Sequence, residues 1–201
     1  MALGREILET EGMRALTARR LSKALGCAIG TIYNLFADMD QLVVRLNVET
    51  LQELESELAS RAATDAGKPA RDRLTGLAET YIGFTASHPA RWAAVIEAGA
   101  ASPDTEREAM IATVESLVAP IEDALIPLLD RDRAAPEIRR TAVALWTGIE
   151  GIGRLAISDN LALIAPGTDA ATLMREQINR FVDGLEAAAT QSDRSAGNRK
   201  S

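Results

Sequence analysis

Apolar residues recur along most of the chain at intervals of three or four positions, which is the spacing of one face of a helix. The longest run lies between Leu42 and Leu58 and predicts one long helix over residues 39–63. Alternation of apolar and polar residues over several positions, which is typical of strands, is nearly absent. The pattern therefore predicts an all-α fold of about nine helices, the first three of them short.

The first three helices have recognisable start and stop residues. Gly12 is expected to end the first helix, since glycine is the residue that most often follows a helix C-terminus. Thr17 is a good N-cap for the second helix, which Gly26 ends, and a third helix is predicted over residues 28–35.

Two short helices joined by a tight turn form a helix-turn-helix. In such a unit the first helix must pack through small and apolar residues, and we expect Ala18, Leu21 and Leu25 to do so. The second helix should bury Ile32 and Phe36. Its polar side chains are then left to reach a DNA groove and its phosphates: Thr31, Tyr33 and Asn34.

Composition agrees with a helical globular chain and excludes several kinds of site. The 201 residues are 47% hydrophobic but only 3% aromatic, which suits helix-on-helix packing. A single cysteine, Cys27, rules out an intramolecular disulfide, and with one histidine, His88, it also rules out a zinc site of Cys and His ligands. Apolar runs of about 18–20 residues and a secretory signal pattern are absent, so we expect a cytoplasmic protein without a membrane partner.

The charge is distributed unevenly along the chain. The net charge is −7, yet residues 1–46 carry six basic and five acidic side chains. Four of these six cations fall between Arg14 and Lys23. The N-terminal segment is therefore the part that favours an anionic partner.

The segment 4–43, GREILETEGMRALTARRLSKALGCAIGTIYNLFADMDQLV, resembles the DNA-binding module of TetR-type (tetracycline-repressor-like) transcriptional regulators. The residues that carry the resemblance are Ile7, Gly12, Leu16, Thr17, Leu21, Gly26, Gly30, Thr31, Ile32, Tyr33, Phe36 and Leu42. Later segments, YIGFTASHPARW and LWTGIEGIGRL, resemble one common C-terminal type of the family more loosely. That type often has a histidine where this chain has Glu150.

The resemblance implies a domain organisation and a function. It implies a helix-turn-helix domain over residues 1–46 and a ligand-binding and dimerisation domain over 47–190, while the polar, aperiodic composition of residues 191–201 predicts a disordered tail. The expected protein is a homodimer that binds an operator in double-stranded DNA and no cofactor. A small-molecule effector would release it from DNA, and repression is the family's commoner mode.

The resemblance also implies which side chains contact DNA. Thr17 is expected to contact phosphate. The further candidates are Arg19, Lys23, Thr31, Tyr33 and Asn34. Arg19 and Arg20 are also readily explained as solvated surface cations, and both interpretations stay open.

Three departures from the family pattern weaken the expected electrostatic attraction. Ala28 replaces a usual serine cap, Leu35 replaces a frequent histidine, and Met39 replaces a frequent lysine. The alternative function is therefore a helical ligand-binding or scaffold dimer in which DNA binding is weak or lost.

The effector candidates are Tyr81, Phe84, Trp92, Met110, Trp146 and Glu150. Most apolar residues at helical spacing are core residues, and that is the plainer interpretation of each apolar member of this set. Glu150, four residues after Trp146, is also explained as a solvated or dimer-interface carboxylate. An enzyme is not expected, because His88 is the single histidine and no glycine-rich phosphate loop or metal-spaced cluster occurs.

Overall fold

The computed structural model describes residues 1–98, 104–129, 135–158 and 160–197, without the side chains of residues 98, 104–110 and 192–197. These ranges contain ten α-helices and no strand, which confirms the all-α prediction. The helices are α1 (Ala2–Glu11), α2 (Ala18–Leu25), α3 (Ile29–Leu35), α4 (Met39–Thr64), α5 (Ala70–Ser87), α6 (Pro89–Ala98), α7 (Asp104–Leu125), α8 (Ala135–Ile157), α9 (Asn160–Ile164) and α10 (Ala170–Gly197). Short 3-10 turns cover Met13–Ala15 and Ile126–Leu128.

The helix boundaries follow the sequence pattern closely at the N-terminus and less closely near the C-terminus. The five residues of α9 are too few to produce a periodic apolar stripe, so the pattern gave no signal for this helix. Helix α10 runs on to Gly197, through residues for which the composition predicted disorder. Elongation of an existing helix adds one hydrogen bond per residue, and residues 191–197 contain no proline to stop it.

The chain divides into two compact units. The first consists of Met1–Ser56 and Ser87–Glu115. Its hydrophobic core joins α1, α2, α3 and the first half of α4 to α6. The buried members of this core are Ile7, Leu8, Leu16, Ala18, Leu21, Ile32, Leu42, Leu46 and Ala94.

The second unit consists of Glu57–Ala86 and Ser116–Ser201. Within its described part, buried apolar residues of α5, α7, α8 and α10 form the interior, among them Leu77, Leu125, Ile149 and Ile178. Helix α8 packs against both α9 and α10. Gly148 of α8 faces the amide end of the Gln177 side chain on α10, and a methyl group at Gly148 would require that flexible side chain to move.

None of the helices in the described ranges has the length and apolarity needed to cross a bilayer.

Candidate nucleic-acid interface and effector residues

Helix α2, the first helix of the predicted helix-turn-helix, is built as the sequence indicates. Thr17 is its N-cap, and the Thr17 hydroxyl oxygen accepts a hydrogen bond of 3.1 Å from the backbone N–H of Arg20. Gly26 ends the helix in the left-handed conformation, with φ of 65°. A residue with a Cβ is strained at this φ, so glycine sets the sharp turn between α2 and α3.

Helix α3 starts without a side-chain cap, as Ala28 predicts. Two hydrogen bonds between side chains and backbone close the turn that follows α3. The backbone N–H of Gln41 donates to Asp38 Oδ1 over 2.8 Å, and Gln41 Oε1 accepts from the backbone N–H of Ala37 over 3.0 Å. These bonds fix the connection between α3 and α4.

The core behind the recognition helix α3 differs from the expectation at one residue. Ala18, Leu21 and Ile32 are buried, as expected. Leu25, which we expected to pack in this core, is 56% exposed because it is the last residue of α2, where the chain turns away. Phe36 is only half-buried, and the guanidinium of Arg45 lies 5.6 Å from the centre of its ring.

The structure leaves all six candidate DNA-contacting side chains exposed to solvent: Thr17, Arg19, Lys23, Thr31, Tyr33 and Asn34. Those of Thr31, Tyr33 and Asn34 project from α3, whereas the others lie on α2 or at its start. The Thr17 hydroxyl accepts its capping bond and keeps its own hydrogen for a phosphate oxygen. Their contacts with DNA stay a prediction.

The cations near this surface fall into two groups. Arg20 bonds the carboxylate of Glu11, with Nη2 2.6 Å from Oε1, and this hydrogen bond lowers the pKa of the Glu11 carboxyl. Arg19 and Lys23 form no ion pair in the part of the chain that the structure describes. Of the two arginines whose role was open, Arg20 is therefore held by the protein, whereas Arg19 is available to a phosphate.

A buried arginine that the sequence analysis missed joins three helices of the first unit. The side chain of Arg91, on α6, is only 2% exposed. Its Nε donates to Thr50 Oγ1 on α4 over 3.1 Å, its Nη2 bonds the carboxylate of Glu53, and its Nη1 lies 3.5 Å from Glu9 Oε1 on α1. We call these four residues the Arg91 junction.

The Arg91 junction has an electrostatic consequence. The hydrogen bond from Arg91 lowers the pKa of the Glu53 carboxyl, against the opposing effect of partial burial. The partners of Arg91 lie 38, 41 and 82 residues away in sequence. No local motif links residues at such separations, so the sequence alone gave no signal for this cluster.

The effector candidates do not all fall in one compact unit. Tyr81 and Phe84 are buried on α5 in the second unit, where α8 also carries Trp146 and Glu150, both half-buried. Trp92 is buried on α6 in the first unit, and the side chain of Met110 lies outside the described residues. Their binding of an effector stays a prediction.

Glu150 is less solvated than the interpretation as a surface carboxylate required. Burial raises the pKa of its carboxyl, and the positive charge of Arg154 opposes that effect. A carboxyl in such a setting gains more from a polar or cationic neighbour than one that faces water.

The described residues contain no group of His, Cys, Asp and Glu side chains arranged to hold a metal ion.

Family profiles match both ends of this fold. The profile described as "Bacterial regulatory proteins, tetR family" matches residues 1–46, and the profile described as "Tetracyclin repressor-like, C-terminal domain" matches residues 74–181. A helical chain with a helix-turn-helix at its N-terminus and these two matches is a DNA-binding transcriptional regulator. The chain belongs to the TetR family, which confirms the resemblance.

Solved structures share the fold at low sequence identity. A protein of unknown function from Rhodococcus sp. RHA1 is 23% identical, with a TM-score of 0.72 and coverage of 92% of both chains. BioQ from Mycobacterium smegmatis is 19% identical, with a TM-score of 0.65 and coverage of 92% of this chain and 94% of that one. The TetR family transcriptional regulator PfmR from Thermus thermophilus is 13% identical, with a TM-score of 0.65 and coverage of 90% and 96%.

The curated protein sequences contain no significant match to the chain.

Proposed function

We propose that the protein is a homodimeric repressor that a small molecule releases from its operator. The observation that carries the proposal is the outer surface of α2 and α3, where six candidate side chains are exposed above a well-packed core. Paired helix-turn-helix units in a dimer reach two half-sites about one helical turn apart. The domain boundary after residue 46 is part of the proposal.

Each candidate has a role that its chemistry allows. The hydroxyl groups of Thr17 and Tyr33 and the cations Arg19 and Lys23 suit phosphate oxygens, which fix the position of the protein on the duplex. The side chains of Thr31 and Asn34 suit base edges in the major groove. An amide such as that of Asn34 pairs with both N6 and N7 of adenine.

The regulatory half of the proposal is supported by the second unit. A half-buried carboxyl with a raised pKa, Glu150, lies on the same helix as Trp146, four residues away. An aromatic side chain and a carboxyl together suit an effector that combines an apolar body with a basic or hydroxyl group. Such a ligand releases DNA if it binds better to the conformation that does not fit the operator.

The decisive experiment measures binding of the full chain to the promoter fragment upstream of its own gene. Micromolar protein should retard the fragment at about 50 mM salt, where phosphate contacts contribute most. The variant Thr31→Ala, Asn34→Ala should bind far less and unfold at the same temperature as the parent. Absence of a shift at this salt concentration would reject the repressor and leave the scaffold dimer.

The scaffold alternative has its own supporting observation, which is the uncapped and uncharged α3. Light scattering on the same protein tests the dimer. A thermal-shift screen of small molecules then finds effectors, and each is added to the protein–DNA complex. The proposal requires that at least one stabilising compound releases the fragment, and that Glu150→Gln weakens its effect.

A further inference from the structure

Helix α3 carries no charged side chain. Its residues, Ile29–Leu35, are IGTIYNL, without lysine, arginine, aspartate or glutamate. The commonest specific contact in the major groove is the paired hydrogen bond from arginine or lysine to O6 and N7 of guanine. Helix α3 has no side chain that makes this contact.

Two large apolar side chains project from α3 where a DNA reader usually presents polar groups. Ile29 is 45% exposed and Leu35 is 60% exposed. They are six positions apart, so around a helix of 3.6 residues per turn they are separated by about 120° on the side of Ile32 and by about 240° on the outer side. On the outer arc between them lie Thr31 and Asn34, while Ile32 is buried on the opposite side. The outer face of α3 is therefore polar in the middle and apolar at both edges.

One base pair matches both kinds of group. Thymine is the only base that presents a methyl group in the major groove, and its partner adenine offers N6 and N7 to an asparagine amide. Cytosine carries only a hydrogen at the C5 position where thymine has its methyl group, so an isoleucine or leucine packed there loses the methyl contact.

We infer that the half-site read by α3 consists of A·T pairs, with Ile29 and Leu35 packing on thymine methyl groups and Asn34 bonding adenine. The inference rests on the proposed operator binding and adds its specificity. The apolar edges continue the DNA-binding surface of the helix-turn-helix, which argues for the groove as their occupant. Burial of these apolar side chains also contributes affinity, which offsets the phosphate contacts that this chain lacks relative to the family pattern.

The test starts with the full chain and a pool of randomised duplexes, from which bound sequences are selected. In the preferred duplex each thymine is then replaced by deoxyuridine, which removes only the methyl group. Burial of one methyl-sized group corresponds to about a fourfold change in affinity. We therefore expect about fourfold weaker binding for each contacted thymine, and no protection of guanine N7 within the half-site.

Two variants assign the contact to a side chain. Leu35→Ala should bind the parent duplex more weakly, and deoxyuridine at one position should then cause no further loss. Leu163→Ala is the matched control, because Leu163 is 79% exposed on α9, far from α3 in sequence. It should keep both the affinity and the deoxyuridine effect of the parent.

The outcomes distinguish a failure of the proposed operator binding from a failure of the inferred preference for A·T pairs. If no duplex is selected and none is retarded, the proposed operator binding fails and the inference falls with it. If a duplex is bound tightly but deoxyuridine changes nothing, or if the half-site contains guanines whose N7 methylation blocks binding, the inference is wrong and the repressor stands. If both variants unfold at the same temperature as the parent, the losses of DNA affinity arise at the interface and not from a change in the fold.

Discussion

The Arg91 junction and the outer face of α3 belong to the same compact unit and use charge in opposite ways. At the junction a buried guanidinium bonds side chains of α1 and α4. On α3 the exposed side chains are all uncharged. The chain thus places a strong, directional interaction where three helices meet, and leaves neutral groups on the face proposed to contact DNA.

The comparison also bears on residues 1–46, which carry six basic and five acidic side chains and are nearly neutral. Arg5 and Arg20, like Arg91, are held by carboxylates of the unit, at 2.6 Å from Glu49 and Glu11. Arginines committed to such pairs contribute little to attraction of phosphate. Affinity for DNA then depends on few cations, so a shallow salt dependence is expected.

The largest effect that would sharpen the comparison is loss of the Arg91 guanidinium. Arg91→Met should lower the free energy of unfolding by about 1.5–3 kcal/mol, the range for hydrogen bonds to charged groups, because Glu9 and Glu53 are partly exposed and regain water. Urea denaturation measures it. Arg19→Met is the control, since the same change at an exposed cation should alter stability by less than about 0.5 kcal/mol. Equal losses of stability in Arg91→Met and Arg19→Met would contradict the distinction between arginines that are bound by carboxylates and arginines that are exposed and, within the described residues, unpaired.

A smaller change tests the other side of the comparison. Ala28→Ser should give α3 its missing cap, because residue 28 has the extended conformation of an N-cap, with φ of −69° and ψ of 147°. We expect a gain of about 0.5–2 kcal/mol in the free energy of unfolding. Ala24→Ser, on the exposed side of α2, should instead lose a few tenths of a kcal/mol. A loss at position 28 would show that the hydroxyl does not reach the first turn of α3.

The next effect concerns affinity rather than stability. If Lys23 contacts a phosphate in each half-site, Lys23→Ala should reduce the slope of log affinity against log salt by about 1.8 for the homodimer, about 0.9 for each lost contact. Fluorescence anisotropy at several salt concentrations measures the slope. Arg180→Ala, which removes an exposed cation of α10, should leave it unchanged. An unaltered slope for Lys23→Ala would place this cation outside the interface.

The smallest effect is a dependence of stability on pH that belongs to the junction alone, since α3 has no carboxyl group. The folded-state pKa of Glu53 is lowered, chiefly by the hydrogen bond from Arg91. A lowered pKa stabilises the fold above the ordinary pKa of the group, and this stability is lost as the pH falls through the folded value.

Glu53→Gln should therefore be less stable than the parent at neutral pH and equal to it in acid, once the pH is below the lowered folded-state pKa of Glu53. Glu57→Gln is the control, because Glu57 is exposed and forms no ion pair in the described part of the chain. A parallel pH profile for parent and Glu53→Gln would show that Arg91 does not favour the charged form of Glu53.

Whether the sequence predicted a feature depended on how far apart in the chain the interacting residues lie. Thr17 and Gly26 act on neighbouring residues, so their roles as cap and stop were readable from the sequence. Burial of Ile32 followed from helical spacing. Leu25 has suitable spacing as well, yet it is exposed, because burial at the end of a helix depends on which other helices cover it.

The site shows the same limit. Exposure of Thr31, Tyr33 and Asn34 was predicted from the shape of a helix-turn-helix, whereas pairing of Arg20 with Glu11 and of Arg91 with Glu53 was not. Ion pairs depend on tertiary packing that brings distant residues together. The assignment of Trp92 to one compact unit and of Tyr81, Phe84, Trp146 and Glu150 to the other was likewise not readable from local sequence.

The bonded turn between α3 and α4 has a mechanical consequence. Asp38 and Gln41 tie the start of α4 to the backbone at Ala37, so the chain between the two helices has little freedom to rotate. Such a turn acts as a stiff joint. A tilt or rotation at the start of α4 that keeps these two bonds would carry α3 with it.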